Sequence, residues 1–122
     1  MSDQPAPLSL AKRWRNKFAC ALRGIVIGCF EEDSFAIHLP AAVIVLVYGS
    51  SQGVGLIPWL LLVLCVTIVL AAELFNSAIE RLAAAITHEV NPLVRDALDI
   101  ASGAVLVAAL GAAAVGALIL FS

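Results

Sequence analysis

Glu73, Asn76, Ser77 and Glu80 stand at i, i+3, i+4 and i+7 within the stretch Glu-Leu-Phe-Asn-Ser-Ala-Ile-Glu, so on a helix they form one polar stripe along an otherwise apolar rod. The stripe extends roughly 10 Å along the axis. It follows directly on Leu39 to Ala72, a run without any Asp, Glu, Lys or Arg, which places Glu73 at or just inside the edge of a hydrocarbon layer. An acidic side chain at such a depth costs about 2.5 to 3.5 kcal/mol even on lenient insertion scales, so a glutamate pair there marks a functional centre. A carboxylate set among apolar side chains suits a general base acting near neutral pH. At that depth the proton it takes belongs to a lipid headgroup hydroxyl.

Three other acids are expected to converge at one cytoplasmic depth, about two turns outside Glu73: Glu32 where a first span enters the membrane, Glu80 where a second leaves it, and Asp99 where a third begins. Hard oxygen donors of this kind suit magnesium, which takes one or two protein carboxylates and completes its octahedron with water and substrate phosphates. Nucleotide phosphate with magnesium is the natural guest. Asn76 is placed to hold the base or a phosphate oxygen, and Arg13 to reach phosphate from an interfacial helix. Glu31, Glu32 and Asp33 stand in a row beside a membrane surface, an arrangement that needs a neutralising cation or basic group; a divalent metal would serve.

The elements that must position these groups are helical and membrane-embedded. The chain has 122 residues, 62% hydrophobic and 13% charged, with mean hydropathy +1.04, too apolar for a soluble domain of this size. A single domain, 1–122, is expected: a loose tail at 1–9, an amphipathic surface helix at 10–30, and transmembrane helices at 31–50, 57–86 and 93–121. Leu10, Trp14, Phe18, Leu22 and Ile25 recur at helical spacing among basic residues, the pattern of a helix lying in the interface. Lys12, Arg13, Arg15, Lys17 and Arg23 all precede the first long apolar segment, so the N-terminus is expected in the cytoplasm. Ala104, Ala108, Ala112 and Gly116 repeat every fourth residue, the small-residue spacing that allows close helix packing. A unit this small is expected to complete its packing by oligomerising.

Several other classes are excluded or disfavoured. The basic segment runs into Glu31-Glu32-Asp33 before any long apolar stretch, unlike a cleaved signal peptide. Cys20, Cys29 and Cys65 lack CxxC spacing and read as small apolar residues. His38 has no second His or Cys at ligand spacing and reads as a hydrogen-bonded packing residue rather than a metal ligand. The glycines of the turn 49–55 lack the Gly-Lys-Ser/Thr ending of a phosphate loop. Internal repeats and nucleic-acid signatures are absent from the sequence.

Glu73-Leu-Phe-Asn-Ser-Ala-Ile-Glu80, Asp99-Ile-Ala-Ser-Gly-Ala-Val-Leu106, and Gly24 eight residues before Glu32 with Phe35-Ala-Ile-His-Leu39 after it resemble the small bacterial diacylglycerol kinase and undecaprenol kinase family. The resemblance covers most of the chain from about Arg13 onward. It implies an ATP- and Mg2+-dependent lipid kinase of the cytoplasmic (inner) membrane, multi-pass, built from three transmembrane helices and a surface helix. It further implies a homotrimer with active sites shared between subunits. In that family the residue matching Glu73 is the catalytic base and those matching Glu32 and Glu80 hold metal. Those matching Arg13, Asn76, Glu89 and Asp99 contribute to the nucleotide or substrate site, and Ser102 matches a lipid-contacting position; Arg13 and Glu73 also face the lipid substrate. Asn91 falls where nucleotide-contacting groups are often seen. One departure stands out: Leu98 occupies the place of a family lysine that meets the nucleotide phosphates, and Arg95, one turn earlier, has the reach to substitute for it. The alternative reading is a non-enzymatic membrane oligomer, either a proton- or ion-translocating ring or a structural trimer that has lost catalysis.

Overall fold

The computed structural model describes residues 6–86 and 88–122; of the tail expected at 1–9, residues 1–5 lie outside the described residues, as does Thr87. Among the described residues the protein is all-α, with α1 spanning Leu10–Glu31, α2 Phe35–Ser51, α3 Leu56–Ile86 and α4 Pro92–Phe121. Two helices, α3 and α4, are long and apolar enough to cross a membrane, and a third span exists if α1 and α2, which meet at 99°, count as one bent unit.

α1 begins at Ser9, whose Oγ accepts from the Lys12 N–H at 3.3 Å, the usual way to satisfy an orphan donor of a first turn. Its apolar stripe of Leu10, Trp14, Phe18, Leu22 and Ile25 is exposed along its length, while Lys17 Nζ lies 5.3 Å from the Trp14 ring centroid. Among the described residues no other part of the chain covers that stripe, which fits a helix resting on a lipid interface.

The row of acids is where α1 and α2 part. Glu31 closes α1, Glu32 adopts an extended conformation, and Asp33 and Ser34 form a turn whose carbonyls accept from Ala36 N–H at 3.0 Å and His38 N–H at 3.1 Å. Short polar side chains favour turns and helix starts over helix interiors. α2 therefore opens at Phe35 rather than within the acidic segment, and its 17 residues reach roughly 25 Å.

α2 stops at Gln52, followed by Gly53 at φ +64°, the left-handed position that glycine fills without steric cost. α3, of 31 residues, and α4, of 30, are each about 45 Å long and exceed a hydrocarbon layer of about 30 Å. If the apolar span opens at its interfacial Trp59, it closes near Ile79. Glu73 then lies about 9 Å inside the boundary, and Arg81 lies outside. α3 packs chiefly on α4 and then on α2. At the far end Gly49 of α2 admits Leu62 of α3, itself fully buried, with Leu120 of α4 beside them. At the near end Gly28 of α1 sits against Leu74 of α3 and close to Phe35 of α2.

Candidate active site

The near-end junction encloses the polar stripe. Glu73, Asn76 and Ser77 are 2%, 6% and 5% exposed, whereas Glu80, at the outer end of the stripe, is exposed. Phe35, 2% exposed, anchors the start of α2. One turn on along the same face, His38 meets Glu73, with Nδ1 2.8 Å from Oε1. The approach is off the line of a ring N–H, so it is a close polar contact and not a directed hydrogen bond, and Glu73 Oε2 is buried with no partner. Asn76 Nδ2 donates to Glu80 Oε1 at 2.9 Å, the i, i+4 contact that helical spacing allows. Its own Oδ1 stays buried and unpartnered.

Glu32 lies across from the same end of α3. Arg81 Nε donates to Glu32 Oε1 at 2.7 Å, and Arg81 Nη2 is 3.5 Å from Glu31 Oε2. Donation to Glu32 raises the pKa of the guanidinium above its ordinary value; desolvation opposes the rise, and the charges of Glu32 and then Glu31 add to it. The neutralising group that the acidic row requires is thus a basic side chain of α3. It ties Glu32 to the residue next to Glu80.

Beyond Glu80 an open cleft of about 500 Å³ lies between the end of α3 and the start of α4, with Glu80, His88, Glu89, Asn91, Arg95 and Leu98 on its walls. Asn91 is also the N-cap of α4: its Oδ1 accepts from Leu93 N–H at 2.9 Å and Val94 N–H at 3.3 Å, with Pro92 at the first helical position, where its missing N–H costs nothing. A second, apolar groove of about 640 Å³ runs the other way. It begins at His38, passes Val45 and Val66, and ends at Tyr48 and Phe121, with Ala112 and Gly116 of α4 along one side.

A model of the prokaryotic diacylglycerol kinase family matches residues 19–120. The chain belongs to that family. It is also similar to the undecaprenol kinase of Bacillus subtilis (strain 168), 36% identical over 107 residues, 88% of this chain and 87% of that protein. It is therefore an enzyme, a lipid kinase of the prokaryotic diacylglycerol kinase family, and the non-enzymatic alternative falls away.

In this member of the diacylglycerol kinase family the structure brings together Glu73, Asn76 and Glu80 as one stripe, and Glu80, Glu89, Asn91 and Arg95 around one cleft. Other candidates stay apart within one chain. Arg13 is exposed, fifteen residues before the Gly28 contact and so roughly 22 Å from it along α1, and it precedes the residues that the family model matches. Asp99 and Ser102 are exposed on α4 and are not among the cleft residues. Among the described residues no three His, Cys, Asp or Glu side chains form a metal-holding group. Two partners escaped the sequence reading, His38 for Glu73 and Arg81 for Glu32. The only signal for the second was the charge balance of the acidic row.

Proposed function

We propose that this kinase transfers the γ-phosphoryl group of ATP, with Mg2+, to the hydroxyl of a membrane lipid alcohol, diacylglycerol or undecaprenol. The observation that carries the reading is Glu73 Oε2, a buried carboxylate oxygen without a partner, set where the apolar groove reaches His38. A lipid tail in the groove brings its headgroup hydroxyl to this oxygen, which takes the proton as the hydroxyl oxygen attacks the γ-phosphorus and ADP departs. The nucleotide lies in the cleft, where Glu80 links it to the stripe through Asn76, and Arg95 is the cation available to its phosphates.

Glu32 and Glu80 are the residues that would hold magnesium. The fit is chemical: both are hard carboxylate donors at the outer end of α3, Glu32 held there by Arg81, and Asn76, which donates to Glu80, keeps a buried oxygen, Oδ1, without a partner. The ion would neutralise phosphate charge during transfer. Glu89 and Asn91 complete the nucleotide site in this reading. Arg13, Asp99 and Ser102 are exposed and away from the cleft within one chain; in a homotrimer with shared sites Arg13 and Asp99 serve the nucleotide site of a neighbouring copy, and Arg13 and Ser102 its lipid substrate. The basic residues of α1 support an N-terminus on the cytoplasmic side of the inner membrane.

The test is Glu73→Gln assayed with a panel of lipid alcohols in mixed micelles, undecaprenol first because of the related kinase. Loss of a general base costs typically 10²- to 10⁴-fold, with the protein still folded in detergent. Wild-type turnover in this variant would remove Glu73 from the chemistry.

A further inference from the structure

His38 comes from a helix that carries none of the groups assigned above, yet it is the side chain that touches Glu73. Its position is fixed from below: Phe35, three residues earlier on the same face of α2, is 2% exposed and lies beside Gly28 and Leu74 where three helices meet. The imidazole is 29% exposed and opens on the apolar groove, whereas the carboxylate it meets is 3% exposed. The two oxygens of Glu73 are consequently unlike. Oε1 faces Nδ1 at 2.8 Å, and Oε2 is buried with nothing bound to it.

We propose that His38 is the positioning residue of Glu73: its Nδ1 engages Oε1, fixes the plane of the carboxylate, and so presents Oε2 to the hydroxyl of the lipid. The proposal rests on Glu73 acting as the base. A buried carboxylate with neither oxygen held would rotate about its terminal bond, since that torsion has broad wells. A small misplacement of a reacting group is enough to cost on the order of 10²-fold in rate. The Nδ1–Oε1 approach is not a linear hydrogen bond without substrate, and catalytic contacts often tighten only when substrate binds. The role falls on Nδ1 alone, because Nδ1 and not Nε2 makes the contact.

That asymmetry provides the experiment. An asparagine amide superposes roughly on the Nδ1 edge of histidine, and a glutamine amide on the Nε2 edge. His38→Ala, His38→Gln and His38→Asn are compared with Glu73→Gln in one set of steady-state assays, varying ATP and lipid separately. The expected result is a kcat lowered on the order of 10- to 100-fold in His38→Ala and His38→Gln, with KM for ATP unchanged, and kcat largely restored in His38→Asn. Glutamine keeps polarity and bulk, so it reports on positioning even if the alanine variant does not fold. Wild-type kcat in His38→Gln, or an asparagine variant no better than glutamine, overturns the proposal while a dead Glu73→Gln leaves the base in place. Normal turnover in Glu73→Gln removes the base, and the role of His38 with it.

Discussion

Arg95→Ala tests whether this kinase has moved the cation that meets the nucleotide. The cleft beyond Glu80 carries two carboxylates, Glu80 and Glu89, and one guanidinium, Arg95, while Leu98 presents an apolar wall on the next turn of α4. Residues three apart on a helix are neighbours, so a lysine at 98 and the arginine at 95 address the same space. A charge-assisted contact to phosphate contributes roughly 1.5 to 3 kcal/mol, and about 1.4 kcal/mol is tenfold in affinity. Removing the guanidinium should therefore raise KM for ATP roughly 10- to 150-fold. Arg95 is exposed, and solvent screening points to the lower part of that range. The assay is an ATP titration at saturating lipid and magnesium, with Arg95→Ala, Leu98→Lys and the double variant side by side. Leu98→Lys should recover part of the loss in the Arg95→Ala background. A KM for ATP that stays flat in Arg95→Ala would refute the idea and leave Arg95 as a side chain that reaches out to anionic lipid headgroups.

Two further outcomes follow from the contacts. Glu32→Ala and Glu80→Ala should each raise the magnesium concentration needed for half-maximal rate with little change in lipid KM, whereas Arg81→Ala, which releases Glu32 from its ion pair, should lower it; an unchanged magnesium titration in all three would count against metal ligation. Gly49→Ala should lower thermal stability in detergent by about 1 kcal/mol, the low end of overpacking costs, because the new Cβ would stand 2.9 Å from Cδ1 of Leu62, a side chain that must shift toward the apolar groove it borders; an unshifted melting curve would show that Leu62 or the two helices yield there at no cost.

The polar stripe was legible because helical periodicity alone brings Glu73, Asn76, Ser77 and Glu80 to one side, and an apolar surround makes them conspicuous. The all-α architecture followed from composition and the same periodicity, and the membership of the kinase family from motifs that the family model also matches. The partners of the stripe were not legible. His38 is remote in sequence from Glu73, and Arg81 from Glu32; neither pairing has a local pattern, since each depends on where the α1–α2 joint lands on α3. Asn91 shows a different difficulty. Asn-Pro ahead of an apolar run is a helix-start signal, and the structure uses its Oδ1 as the α4 cap while the residue also borders the cleft. Ala112 and Gly116 carry the spacing of a packing seam, yet here they border an apolar groove of about 640 Å³. A small-residue pattern specifies room beside a helix and not what fills it.

The bend at Glu32 to Ser34 is what builds the site. Gly28 of α1 meets Leu74, and His38 of α2 meets Glu73. On one straight helix residues 28 and 38 would be about 15 Å apart along the axis, whereas 73 and 74 on α3 are about 1.5 Å apart. Only a sharp turn lets both contacts form, and the two helix axes do meet at 99°. Asp33 and Ser34, which form that turn, are therefore structural: they set α1 at 99° to α2 and bring His38 over Glu73. They also leave Glu32 facing Arg81 at the rim. A residue such as Glu73, costly to bury at membrane depth, is tolerable in this fold because the same turn that hides it from water supplies its polar neighbour.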